Sequence, residues 1–369
     1  MKPKQTECSA TPFHGGRVYE TARRWGIACD HVLDFSASIN PMGPPPSVLA
    51  AIENALTPVS FRNYPDDHAF VGTIAGMHRV MPDEIVVGSG VASLIFAAMH
   101  AGLPRRVLLV APAFGEYDRA CRAVKAEVTT WLTSETNGFI PDFASLERAV
   151  KERRFDLVIL NSPHNPTGMI YPGQALVSLI DAAETHSTRV LLDEAFVDYA
   201  LPASLVSLAP TKSNLIVLRS LTKFYAMPGL RVGYAVSNAR LAAAMQKQID
   251  PWSVSTVALE AGRAALSEGE FAAETCRVNA TAREEFAGAL NDAGLKVFPS
   301  AANFLLAKLP QGSGADLQQW LERERILIRQ CGSFEGLGDA FIRLAVRASP
   351  DNLRLVSLIE KWLSGSEDS

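Results

Sequence analysis

The sequence predicts an α/β fold, with a mostly parallel sheet in a large domain and a smaller α+β domain at the C-terminal end of its 369 residues. The first observation is alternation. Between about residues 85 and 235, the short β-branched runs EIVVGSG, RVLLVAPAF, DLVILNSP, RVLLDEAF and NLIVLRSLTK are separated by longer stretches of helical character, the pattern of βα units around a parallel sheet. The second is a change of pattern after about residue 255, where an alanine- and glutamate-rich helical segment is followed by shorter strand-like pieces. The third is where the polar residues fall. Gly88 to Gly90, Asn161, Asp193 and Ser220 to Lys223 all stand at the carboxyl ends of apolar runs, the edge at which open parallel sheets bind ligands.

Taken in chain order, residues 1–40 read as an N-terminal arm, rich in Pro, Gly and single polar residues and laid across the structure. Residues 41–255 read as the large domain and residues 256–369 as the small one. Within the small domain LKVFPSAANFLLAKL, ILIRQC and FIRLAVR are expected as strands, and SPDNLRLVSLIEKWL as a closing helix with Ser349 as its N-cap.

Composition narrows the function classes. A formal net charge of -4 with 20% charged residues gives no broad basic field for nucleic acid or for an anionic membrane. The five cysteines, Cys8, Cys29, Cys121, Cys276 and Cys331, are scattered and never form CxxC, so neither a disulfide framework nor a zinc site is expected, and no metal is assigned. The opening residues carry no apolar signal core, and the longest apolar run, near VASLIFAAMHAGL, is too short to span a bilayer. A cytoplasmic protein with reduced thiols is the expectation.

Three motifs carry the chemistry: NSPHNPTG with Asn165, LLDEAF with Asp193, and SLTKFYAMPGLRVGY with Lys223 and Arg231. Singly, each is also an ordinary structure: a turn, a helix cap, a hydrogen-bonded loop. Together they hold what pyridoxal 5′-phosphate (PLP) requires, namely a Schiff-base amine, an acid for the pyridine nitrogen, a donor for the ring O3′, and hydroxyls with a cation for the phosphate. The combination resembles fold-type I PLP enzymes of the aminotransferase superfamily over nearly the whole chain. The resemblance implies that Lys223 is the catalytic Schiff-base lysine, Asp193 the partner of the pyridine N–H and Asn165 the O3′ donor. It places Ser220, Thr222 and Arg231 on the cofactor phosphate with the backbone of Gly90, Val91 and Ala92, and Phe114 against the cofactor ring. Tyr64, in FRNYPDD, corresponds to a tyrosine that reaches the cofactor phosphate of a second subunit, which implies a homodimer with a shared active site. One departure is Phe196, where many relatives carry a tyrosine that also donates to O3′.

Two arginines in strand-like runs need an anionic partner or a route to solvent: Arg343 in FIRLAVR and Arg329 in ILIRQC. The resemblance assigns Arg343 to a substrate α-carboxylate and Arg329 to a substrate phosphate. Within that phosphate-substrate branch, FHGGRVYETARRWGIACDHVLDFSASINPMGPP resembles the N-terminal arm of L-threonine-O-3-phosphate decarboxylases. By that resemblance His14, Gly15 and Asn40 contact phosphothreonine alongside Asn165, Arg329 and Arg343. The implied reaction is decarboxylation to (R)-1-amino-2-propanol O-2-phosphate in cobalamin biosynthesis, with histidinol-phosphate aminotransferase as the alternative. A PLP-sensing DNA-binding regulator is disfavoured, because no helix-turn-helix segment precedes residue 40.

Overall fold

The computed structural model describes residues 15–365. Its strands, in chain order, are β1 (Leu33–Asp34), β2 (Ile85–Gly88), β3 (Arg106–Ala111), β4 (Glu127–Leu132), β5 (Leu157–Asn161), β6 (Arg189–Asp193), β7 (Leu215–Ser220), β8 (Gly233–Val236), β9 (Lys296–Val297), β10 (Phe304–Lys308), β11 (Ile326–Leu327), β12 (Arg329–Gln330) and β13 (Phe341–Ala345). The large sheet has seven strands in the order β2-β8-β7-β6-β5-β3-β4. All of its pairs are parallel except the two made by β8. The α/β class is therefore as expected. Strands β4 and β8 join the five runs picked out by their β-branched residues.

Parallel strands buried on both faces read as continuous apolar runs, and β5 and β7 are buried along their whole length. The two-residue period then sorts their side chains. Leu108, Val158, Leu160, Leu192 and Val217 enter the hydrophobic cluster on one face, while Val107, Leu109, Ile159, Leu191 and Leu218 enter the cluster on the other. Register brings the polar strand ends level: Asn161 lies opposite Asp193, and Gly233 lies between Ser220 and Gly88.

The C-terminal part builds an antiparallel sheet in the order β12-β13-β10-β9, in which Arg343 is the cross-strand partner of both Arg329 and Leu306. The helical stretch before it is two helices, Thr256–Leu266 and Gly269–Asp292. The closing helix spans Ser349–Ser364 with Ala348, not Ser349, at its N-cap. The Ser349 hydroxyl instead donates to Glu285 at 2.9 Å, and Asn352 closes the entry by exchanging hydrogen bonds with the backbone of Arg347.

The N-terminal segment is part of this C-terminal core. Strand β1 pairs in parallel with β11, the Ala345 amide donates to the Phe35 carbonyl at 2.9 Å, and the Phe35 ring is fully buried 6.1 Å from Phe286. Removing a ring of that size from a packed core leaves a cavity as well as losing its transfer free energy. Phe35→Ala is expected to lower the free energy of urea unfolding by about 3–5 kcal/mol, with loss of the β1-β11 pairing visible as faster amide exchange at residues 33–35.

Candidate active site

A cavity of about 1000 Å³ opens at the carboxyl ends of β3, β5, β6 and β7 and is closed on its other side by β12, β13 and the N-terminal segment. Lys223, Asp193, Asn165, Ser220, Thr222, Arg231, Phe114, Val91, Ala92, Gly15, Arg329 and Arg343 all line it. Residues more than 300 positions apart in sequence thus share one wall.

At the end of β7 the Ser220 and Thr222 hydroxyls lie 2.9 Å apart, both buried. Across from them the helix Val91–Gly102 begins at Gly90, whose φ is +81°. A Cβ on Gly90 would stand 2.5 Å from a guanidinium nitrogen of Arg231, so glycine alone leaves room for that cation over the helix start. Open backbone amides, the positive helix end, two hydroxyls and an arginine make a receptor for a phosphate.

Asp193 closes β6. One of its carboxylate oxygens accepts from the Ala195 amide at 2.8 Å and the other from the Tyr117 hydroxyl at 2.7 Å. Burial raises its pKa, and the two hydrogen bonds only partly oppose this. A buried carboxylate with no cation against it among the described residues suits a cationic N–H partner, which a protonated pyridine supplies. Tyr117 is itself buried, and its pKa is pushed well above the usual value by burial and by Asp193, so its hydroxyl remains a donor. Phe114 meets the Tyr117 ring edge-on at 5.7 Å. Sequence reasoning singled out Phe114 but not Tyr117; the signal was its place three residues on, one helical turn away on the same face.

The Lys223 amine makes no hydrogen bond among the described residues. Its pKa is lowered to about 8, chiefly by burial and then by Arg343 and Arg231, with Asp34 acting in the opposite direction. Asn165 accepts from Arg343 at 2.6 Å through its side-chain oxygen, which turns its NH2 group to the cavity as a donor. The loop that carries it is anchored by His164, fully buried between the Thr167 hydroxyl and the Pro112 carbonyl at 2.8 Å each. Burial lowers the His164 pKa to about 4, so this ring is neutral and structural.

Arg343 is buried, with its remaining hydrogen bond at 3.0 Å to the Ser36 carbonyl and its Nε without a partner. Desolvation lowers its pKa to about 10. Arg329, also buried, donates to the Gln330 carbonyl and to the Ser333 hydroxyl at 2.9 Å and lies over the Phe334 ring. The two arginines are directly opposed on neighbouring strands, which sets two like charges on one cavity wall. The arrangement fits a doubly anionic ligand.

Two of the expected site residues lie elsewhere. Asn40 is off the cavity wall: its backbone N–H donates to the Lys223 carbonyl at 3.1 Å and its side-chain amide to the Phe224 carbonyl at 2.9 Å. It grips the lysine loop from behind. Tyr64 is 73% exposed and stacked on Trp252 with ring centroids 4.0 Å apart, away from this chain's own cavity. His14 lies outside the described residues; its neighbour Gly15 packs against the Ser36 backbone at the cavity wall. Phe196, also on the wall, packs edge-on against Phe304 at 4.9 Å and offers no hydroxyl.

The family model for aminotransferase class I and II matches residues 30–361. A threonine-phosphate decarboxylase of Salmonella typhimurium is 36% identical over 95% of this chain and 97% of its own. Among solved structures, the L-threonine-O-3-phosphate decarboxylase from Porphyromonas gingivalis superposes with a TM-score of 0.80 at 25% identity, covering 90% of this chain and all of that one. The histidinol-phosphate aminotransferase from Clostridium acetobutylicum superposes with a TM-score of 0.83 at 28% identity, over 91% of this chain and all of that one. A family model over most of the chain, a 36% identical relative with near-complete coverage and a shared fold lead to one conclusion: the chain belongs to the class I and II aminotransferase family.

Proposed function

We propose that this protein is a PLP-dependent decarboxylase that converts L-threonine O-3-phosphate to (R)-1-amino-2-propanol O-2-phosphate, a step of cobalamin biosynthesis. The observation that carries the reading is the cross-strand pair of Arg329 and Arg343 on the cavity wall, two cations for a substrate with a carboxylate at one end and a phosphate at the other. The 36% identity to the Salmonella typhimurium threonine-phosphate decarboxylase supports decarboxylation over the alternative, histidinol-phosphate transamination.

PLP, when bound, supplies a protonated ring that accepts the electron pair left on Cα as carbon dioxide departs. Asp193, held by the Tyr117 hydroxyl, is the carboxylate that would keep such a ring protonated. Ser220, Thr222, Arg231 and the amides after Gly90 would hold the phosphate of such a cofactor, Asn165 would donate to its ring oxygen, and Phe114 would flank its ring; these side chains line the same cavity. Arg343, held by Asn165 and Ser36, orients the substrate carboxylate, and with Arg329 at the far end it fixes which bond to Cα breaks. Lys223 is our candidate for returning a proton to Cα, since it lines the cavity and burial, with Arg343 and Arg231, lowers its pKa to about 8. Gly15 and the adjoining His14 complete the substrate wall, and Asn40 serves by holding the Lys223 loop.

The active form is a cytoplasmic homodimer in this proposal. Leu49, Leu56, Val59, Phe61, Tyr64 and Trp252 are exposed apolar side chains between the helix Pro46–Ala55 and the Tyr64–Trp252 stack, and Phe61 is 74% exposed. A second copy would cover them and carry its Tyr64 towards this chain's phosphate receptor. Among the described residues no helix is long and apolar enough to cross a membrane.

Three outcomes test the reading. Purified enzyme given PLP and L-threonine O-3-phosphate as sole amino compound is expected to release carbon dioxide and aminopropanol phosphate; glutamate formed from histidinol phosphate and 2-oxoglutarate, with no carbon dioxide, would establish the transaminase instead. A lysine of pKa about 8 is half neutral there, so PLP capture by the apo-protein, followed by stopped-flow absorbance, is expected to quicken as pH rises through about 8 and then level off. Arg343→Ala removes a neighbouring positive charge and is expected to move that midpoint upward. In sedimentation, the wild-type protein is expected as a two-chain particle that Phe61→Asp splits into single chains; a wild-type monomer would contradict the shared site.

A further inference from the structure

We propose that Ser333 is a second ligand of the substrate phosphate, acting beside Arg329 and setting the preference for a phosphomonoester over a free hydroxyl. The inference rests on the assignment of Arg329 to the phosphate end. Ser333 lines the same cavity wall, and its oxygen accepts a hydrogen bond from Arg329 at 2.9 Å. A hydroxyl whose oxygen is taken by a guanidinium has its own proton left to give, and the described residues hold no acceptor for it. Accepting from a cation also polarises the O–H bond, which strengthens it as a donor to an anion. Arg329 and Ser333 together therefore offer a phosphate a fork of N–H and O–H donors that a lone arginine lacks.

The loop that carries Ser333 is rigid for a segment at a cavity mouth. Cys331, Phe334 and Leu337 are buried at every third position and enter an aromatic cluster with Phe139, Phe298 and Phe341. The Phe334 amide donates to the Cys331 carbonyl at 2.9 Å, and the Leu337 amide to the Phe334 carbonyl at 3.1 Å. Gly332 sits so close to Asp339 that a Cβ there would overlap the carboxylate. Between these anchors Ser333 is presented outward with little freedom to lose on binding. The carboxylate on the same rim, Glu335, accepts from the Thr130 hydroxyl at 3.1 Å.

Ser333→Ala and Ser333→Thr, each loaded with PLP, test this by equilibrium titration of the cofactor absorbance with L-threonine O-3-phosphate and with L-threonine. A hydrogen bond to a charged group is worth enough that Ser333→Ala is expected to weaken phosphothreonine roughly tenfold, to leave threonine within about twofold, and to regain affinity when the residue is Thr. Equal losses for both ligands, no loss for either, or failure of Ser333→Thr to recover would overturn the assignment, as would wild-type enzyme that does not bind phosphothreonine. Wild-type enzyme that binds phosphothreonine without releasing carbon dioxide would instead overturn the decarboxylase reading and leave the titration decisive for Ser333.

Discussion

The Arg343 guanidinium ties together three parts of the chain that are distant in sequence. It leaves the small sheet, donates to the Ser36 carbonyl of the N-terminal segment and to the Asn165 side chain at the end of the large sheet, and lies over the Phe304 ring. Those partners are neutral. A buried cation held only by neutral dipoles has lost most of its hydration without regaining an opposite charge, and its lowered pKa reflects that deficit. The chain tolerates the deficit because the same guanidinium fixes the cavity's shape. A carboxylate against it would supply the opposite charge, so the desolvated guanidinium gives the cavity a preference for an anionic ligand.

The same logic extends through the cavity. Arg231, Arg329, Arg343 and Lys223 line it, although the whole chain carries a net charge of -4. Asp193 lies at its floor and Asp118 and Glu335 at its outer wall. A positive pocket in a mildly negative molecule draws in small anions without holding polyanions elsewhere. It also adjusts the lysine: burial does most to lower the Lys223 pKa, Arg343 and Arg231 add to it, and Asp34, whose carboxylate accepts from the Ser36 backbone, pulls the other way. The cavity arginines and the lysine are thus coupled by charge as well as by proximity.

Much of the fold was legible in the sequence because burial of the strands on both faces wrote it there. That burial makes the middles of β5, β6 and β7 apolar, so the polar residues that close them, Asn161, Asp193 and Ser220, stand out at the carboxyl edge, although β7 also buries Arg219 one residue earlier against Asp198. Lys223 and Arg231 followed from the types of residue that a phosphorylated aldehyde needs. What could not be read was tertiary. Phe35 sits in a segment with no periodicity, and only its pairing with β11 places it in the C-terminal core. Asn40 has the right chemistry to touch a ligand, yet the Lys223 loop folds back to occupy its amide. The direct opposition of Arg329 and Arg343 depends on an antiparallel register that neither run encodes alone.

Phe196 and Tyr117 show how a departure in one position is met in another. With Phe196 packed against Phe304 and carrying no hydroxyl, Asn165 is the side chain among the described residues that would donate to the ring oxygen in the proposed holoenzyme. At the opposite side of the ring's position, Tyr117 adds a donor to Asp193. That bond makes the carboxylate a weaker base than burial alone would, and it fixes the direction of the free lone pairs. A carboxylate so oriented would suit a protonated ring nitrogen as its partner. The balance between the two ends of the site is therefore set by two aromatic side chains, one lacking a hydroxyl and one supplying it, and neither needs to touch the substrate.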